Sequence, residues 1–245
     1  MTAPATAPES KTSIPFVTDA WRLVRVLFGP GAVFTEQQDR PTFWRPFIVV
    51  TVVFMILQAL QQPFQARVRE IALQQAGRAA QAGPGGPVAM IIGLVIGAIV
   101  VLIMLAIVAG ILYLLVTGFG GEASYKKMMT VAVFCWPIAI IQQILTYVVL
   151  TMRGVDSIHT IWDSFVSFGA DLLLPGDATV GAFTRFYLAG IGPLAIWQVA
   201  ISAIGLMVLG KLGKGAAWGA AIICYLVFLL IPAGLGAFGM KAAGG

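Results

Sequence analysis

Five stretches of this chain, about 44–60, 88–116, 128–150, 186–209 and 216–238, carry no Asp, Glu, Lys, Arg or His in their interiors. A helix crossing the ~30 Å hydrocarbon core of a bilayer needs roughly 20 apolar residues, because every backbone polar group must be satisfied within the segment. Each run is near or above that length, and Arg45 stands at the mouth of the first. The second is the longest; at a rise of about 1.5 Å per residue it overshoots the core and must tilt or protrude. Charges make up 10% of the 245 residues, against roughly 25% in soluble domains. The deficit lies entirely within the five runs. The expected fold class is all-α: a polytopic membrane protein with five transmembrane helices and interfacial amphipathic helices.

The formal charge of +5 is spread thinly, and no Lys or Arg run exceeds the pair Lys126-Lys127. That leaves no track for nucleic-acid phosphates. Cys135 and Cys224 fall inside apolar runs and read as buried thiols. No apolar run precedes Phe47, so no cleavable signal peptide is expected.

Outside the spans the chain divides by composition. Residues 1–13 read as a disordered tail. Residues 14–43 read as an amphipathic helix and turn on the cytoplasmic face: Phe16, Val17, Ala20, Trp21, Val24, Leu27 and Phe28 recur at helical steps until Gly29-Pro30-Gly31. That helix suits either the headgroup layer or a seat on the spans. The 44–239 segment forms the membrane domain. Within it, Phe64 to Ala82 reads as a continuation of the first helix past Pro63, ending at the breaker 83–87. A stripe of Ile158, Ile161, Trp162, Phe165, Phe168 and Leu172 predicts an interfacial helix over about 156–173, closed by Pro175-Gly176. Nine Lys and Arg fall on one side of the five spans and six on the other. The bias predicts a cytoplasmic N-terminus and an outward C-terminus, as in a bacterial inner membrane.

The spans contain nothing that titrates near neutral pH. Ion-coupled transport, proton relays and intramembrane proteolysis all require such groups. The one histidine, His159, lies in the 156–173 stretch among acidic neighbours. Neither an acidic cluster for magnesium nor a phosphate-cradling glycine loop is present. No enzyme, no cofactor and no metal site is expected. The spans hold small residues, prolines and amides instead. Gly93 with Gly97, and Gly215 with Gly219, place paired glycines on one helix face for packing within the chain, or against a second copy. Pro137, Pro193 and Pro232 interrupt the last three spans and predict kinks. Gln58, Gln142, Gln143 and Gln198 should face inward, as interhelical pairs or around a small polar cavity.

Three stretches resemble the Yip family, membrane proteins named for binding Ypt/Rab GTPases. Leu27 to Phe34, with Arg40-Pro41 and Trp44-Arg45-Pro46-Phe47, is similar to its proline turn and Pro-flanked first span. Gly120 to Lys127, followed by Trp136-Pro137, looks like its diglycine and basic loop before a Pro-bearing span. Ile196-Trp197-Gln198, Ile204-Gly205-Leu206 and Lys211 to Gly215-Ala216 resemble its fourth span and the short loop after it. The resemblance covers about Val17 to Phe238 and implies five spans with a cytoplasmic N-terminus. It brings no catalytic residues. The short N-terminal region and the 156–173 segment differ from eukaryotic members, so a GTPase partner is not implied here.

The function expected is a non-enzymatic scaffold that organises a membrane or recruits partners: the bilayer, a membrane or cytoplasmic protein, or a second copy. The alternative is passage of a small apolar or lipidic solute through a cavity among the last three helices. Candidate contact or cavity residues are Lys126, Lys127, Trp136, Pro137, Gln142, Gln143, Trp197 and Gln198.

Overall fold

The computed structural model describes residues 15–75, 87–175 and 180–242. The tail at 1–13, Arg78, the breaker at 83–86 and Gly176 lie outside the described residues. Ten α-helices and three short 3-10 turns, with no strand among the described residues, make an all-α polytopic membrane protein. The order is α1 (Pro15–Arg25), α2 (Pro30–Glu36), α3 (Trp44–Leu60), α4 (Gln62–Gln75), α5 (Pro87–Gly118), α6 (Tyr125–Cys135) and α7 (Pro137–Arg153). The 3-10 turns at Val155–Ser157, Ile161–Ser164 and Ala170–Leu173 follow, then α8 (Ala182–Ala189), α9 (Pro193–Leu209) and α10 (Lys214–Ala242). Val95–Gly118, Tyr125–Arg153 and Lys214–Gly239 are each long and apolar enough to cross a membrane. The pair Trp44–Leu60 with Gln62–Gln74, bent by 59°, and the pair Ala182–Ala189 with Pro193–Leu209, bent by 60°, bring the number to five if each is one span.

Proline sets the breaks, though not as mid-helix kinks. Pro137 and Pro193 occupy the first turns of α7 and α9, where the missing N–H is harmless and φ is already helical. Of the three, only Pro232 sits in a helix interior, that of α10. The same chemistry explains α2. Gly29-Pro30-Gly31 stops α1, but Pro30 then starts a second helix of 7 residues that turn signals alone do not announce. The α3–α4 junction breaks at Gln61 rather than running through Pro63, which becomes an early residue of α4.

No single helix covers 156–173. Ile158, Thr160, Phe165 and Gly169 are extended, dividing the segment into 3-10 turns. Short polar side chains hold the turns in place of helical bonds. Asp163 accepts from the backbone N–H groups of His159 and Thr160 at 2.9 and 2.7 Å, and the Ser167 hydroxyl donates to Asp171. Within the stripe, Trp162 and Phe165 close on a ring cluster: Trp162 stacks on Phe186 at 5.6 Å, Phe165 meets Phe186 edge-on at 4.8 Å, and the Arg185 guanidinium lies 5.2 Å from the Trp162 ring.

The main core is built around α6 and α9, with Phe34 of α2 set edge-on to Phe134 at 6.0 Å. Gly205 admits that contact: a Cβ there would meet Phe34 and Val131 at 3.0 Å. The glycines expected to bring helices together do not. Added Cβ atoms on Gly93, Gly97, Gly215 and Gly219 meet nothing within 4 Å. A second, smaller core of Phe64, Ile71, Leu150 and Ile158 seats α4 on the end of α7.

Candidate functional site

Between α5, α6, α9 and α10 lies a cavity of about 50 Å³, mostly apolar, with Cys135, Trp136, Gln198, Ser202, Cys224 and Tyr225 among its walls. A second space of about 20 Å³ shares Gln198 and Tyr225 and runs to Gln142 and to Gly190 and Gly192, in the break between α8 and α9. Among the described residues, no carboxylate, ammonium, guanidinium or imidazole lines either space. The Trp136 indole N–H is buried and meets no acceptor among the described residues. The Tyr225 hydroxyl donates to the Gly190 carbonyl at 2.7 Å, satisfying a group that the broken helix frees. Sites for organic ligands usually enclose ~300–1,000 Å³, whereas a water needs roughly 10–15 Å³. The space fits a few water-sized molecules.

Three of the four amides divide between the cavity and interhelical pairing, whereas Gln58 lines neither space. Gln142 and Gln198 reach the smaller space. Gln143 instead meets Gln61 at the α3–α4 bend, where the buried Gln61 amide donates to the Gln143 side-chain and backbone oxygens at 3.4 and 3.5 Å. Gln61 lies just past the first apolar run, so a search confined to the runs overlooks it. Pro137 is buried at the start of α7. The Trp197 indole points away from the cavity and donates to the Leu27 carbonyl at 3.1 Å.

At the near end of the bundle, where α3, α6 and α10 begin, the chain is strongly charged. Lys126 and Lys127 stand in the first turn of α6, and Lys127 is the more buried. Arg45 and Lys214 occupy the first turns of α3 and α10, and Arg40 precedes them in the loop. None of these five cations makes an ion pair among the described residues. Lys211 does, reaching Glu122 at 2.6 Å, and that hydrogen bond holds the Glu122 carboxyl below its ordinary range.

Also at this end, α1 and α2 are clasped together. Arg22 Nε and Arg25 Nη1 donate to the two oxygens of Glu36, each at 3.0 Å, and Arg22 also reaches the buried Asp19 at 3.0 Å. Burial alone would raise the Glu36 pKa, but the two guanidinium bonds outweigh it and hold the carboxyl below its usual value. Burial likewise opposes the charge on Arg22, and its bonds to Glu36 and Asp19 raise its pKa in spite of that.

The Yip1 domain family model matches residues 24–235. A curated relative, "Membrane protein YknW" of Bacillus subtilis (strain 168), is 26% identical over 216 residues, covering 87% of this chain and 89% of the relative. No solved structure matches the chain significantly.

Proposed function

Because the chain belongs to the Yip1 domain family, we propose that it is a non-enzymatic scaffold whose near end faces the cytoplasm and recruits a partner there. One observation carries this reading: Arg40, Arg45, Lys126, Lys127 and Lys214 gather at one end, at or before helix starts, and none makes an ion pair among the described residues, Lys127 acting on Glu122 only at longer range. The positive end of the helix dipole disfavours cations there. Their placement therefore serves something other than helix stability, and an inner-membrane orientation with the basic end inside fits it. The same cations offer a partner with an acidic surface long-range attraction and little else. The cavity between α5, α6, α9 and α10 supports the same reading, since it is too small for a lipid chain and its described walls carry no carboxylate, ammonium, guanidinium or imidazole.

The competing reading, passage of a small apolar or lipidic solute, would need that cavity to widen severalfold. A photoreactive phenylalanine in place of Lys126 or Lys214, activated in native membranes, distinguishes the two. A scaffold gives discrete protein-sized adducts that weaken as salt is raised. Adducts to lipid alone at both positions would defeat the proposal.

A further inference from the structure

The α2 helix runs alongside α9 in step with it. Leu27 meets Trp197, a Cβ on Gly31 would touch Ile204 at 3.9 Å, Phe34 packs at Gly205, and the Gln38 amide donates to the Val208 carbonyl at 3.2 Å. Because α9 ends at Leu209 at the near end, the turn from Leu27 to Gly31 lies level with residues five to twelve positions up that helix. At the α-helical rise this is roughly 8–18 Å, comparable to half of a ~30 Å hydrocarbon core. The α1 helix returns toward the near end, where Arg22 and Arg25 clasp Glu36. The hairpin thus enters and leaves on the same side.

Its outward face is apolar. Val17, Trp21, Val24 and Phe28, spaced by four, three and four residues, are 63%, 60%, 47% and 82% exposed. The face toward the bundle buries Leu23 and Val26, but also Asp19. A helix lying in water has the opposite arrangement, with its charges outside. Beside it, α3 presents Trp44, Ile48, Val52 and Ile56 outward at four-residue steps, the lipid-facing stripe of a span against which α1 packs. Two neighbouring, packed helices thus each turn an apolar stripe outward.

We propose that α1 and α2 form a re-entrant hairpin set into the near leaflet, with Val17, Trp21, Val24 and Phe28 lying against lipid. Phe28 reaches the acyl chains and Val17 stays by the headgroups. Asp19 and Glu36 together balance Arg22 and Arg25, the charges that the hairpin carries into that layer. This inference stands apart from partner recruitment, since it concerns only which surface the lipid covers.

The test uses the full chain in phosphatidylcholine–phosphatidylglycerol vesicles, carrying Val17→Cys, Trp21→Cys, Val24→Cys or Phe28→Cys with a nitroxide label. Cys135 and Cys224 are buried and stay in place, with the unsubstituted protein as the labelling blank. Ile48→Cys supplies the bilayer reference and Asp39→Cys the aqueous one. At all four positions oxygen should collide with the label more often than a water-soluble nickel chelate does, and depth should increase from Val17 to Phe28. Nickel accessibility at Phe28 equal to that at Asp39 would overturn the proposal. So would labels shielded from both reagents, which would mean that protein covers the stripe. Every test position is on the surface, and a monodisperse gel-filtration peak confirms that each variant folds.

Discussion

The Trp197 indole N–H donates to the Leu27 carbonyl at 3.1 Å, joining the turn after α1 to the upper part of α9. That carbonyl lies past the last turn of α1 and ahead of Pro30, so the helix supplies it with no donor. Trp197→Phe keeps the ring against Phe28, 6.5 Å away, but leaves the carbonyl unpaired. The expected loss is about 1–3 kcal/mol, read as a lowered thermal midpoint in detergent. An unchanged midpoint would show that the bond does not hold the turn.

The clasp around Glu36 makes the α1–α2 hairpin sensitive to acid. The carboxyl titrates lower folded than unfolded, so its contribution is complete above the ordinary glutamate value of 4.5 and is lost as pH falls through the folded value. The wild-type midpoint should therefore fall more steeply in that acid range than the midpoint of Glu36→Gln. The two curves should separate most clearly near neutral pH, with the variant lower. Parallel curves from neutral to acid would contradict the assignment.

Replacing the two members of the Gln61–Gln143 pair should have unequal effects. Gln61→Leu removes long, weak hydrogen bonds from a site that is 3% exposed and should cost under about 1 kcal/mol, as polar pairs in membrane proteins commonly do. Gln143→Leu leaves the Gln61 amide buried with only a long backbone contact, and should cost more, on the order of 1–3 kcal/mol. Denaturant titration of both variants would reveal the asymmetry.

Among the glycines, spacing and packing make opposite predictions. Gly205→Ala pushes a methyl against Phe34 and Val131 and should destabilise by about 1–3 kcal/mol. Gly219→Ala meets open space and should be neutral or stabilising by up to ~1 kcal/mol through helix propensity. A loss at Gly219 together with a shift to a smaller species by light scattering would mean that a second copy packs there.

The membrane architecture can be read directly from the sequence because a single physical requirement, apolar length without charge, leaves an unmistakable trace. Finer features depend on choices that local pattern does not resolve. Gly29-Pro30-Gly31 reads as a stop, and the same proline restarts the chain as α2 because its fixed φ serves a first turn equally well. Pro137 and Pro193 were legible as breaks but not as helix starts. The stripe from Ile158 to Leu172 has helical spacing, yet local bonds to Asp163 and Asp171 divide it. At the candidate site, the cost of an amide in lipid matches Gln198 on the cavity wall and Gln143 turned toward Gln61, but Gln142 edges the smaller space while staying exposed. Gln61, the partner of Gln143, lay one residue beyond α3, outside the stretch where that cost applies. Trp197 belonged to a recognisable motif, but only the tertiary fold reveals the carbonyl that it satisfies.

A hairpin that goes in and out by one end of a bundle takes up area in one sheet of the bilayer and none in the other. Lipids on the near side must give way to α1 and α2, while those opposite keep their spacing. A flat membrane absorbs that mismatch by crowding the near sheet, and a bend convex toward the near side relieves it. The strain adds with each copy, so the energy of the inserted hairpin depends on the curvature of the membrane around it.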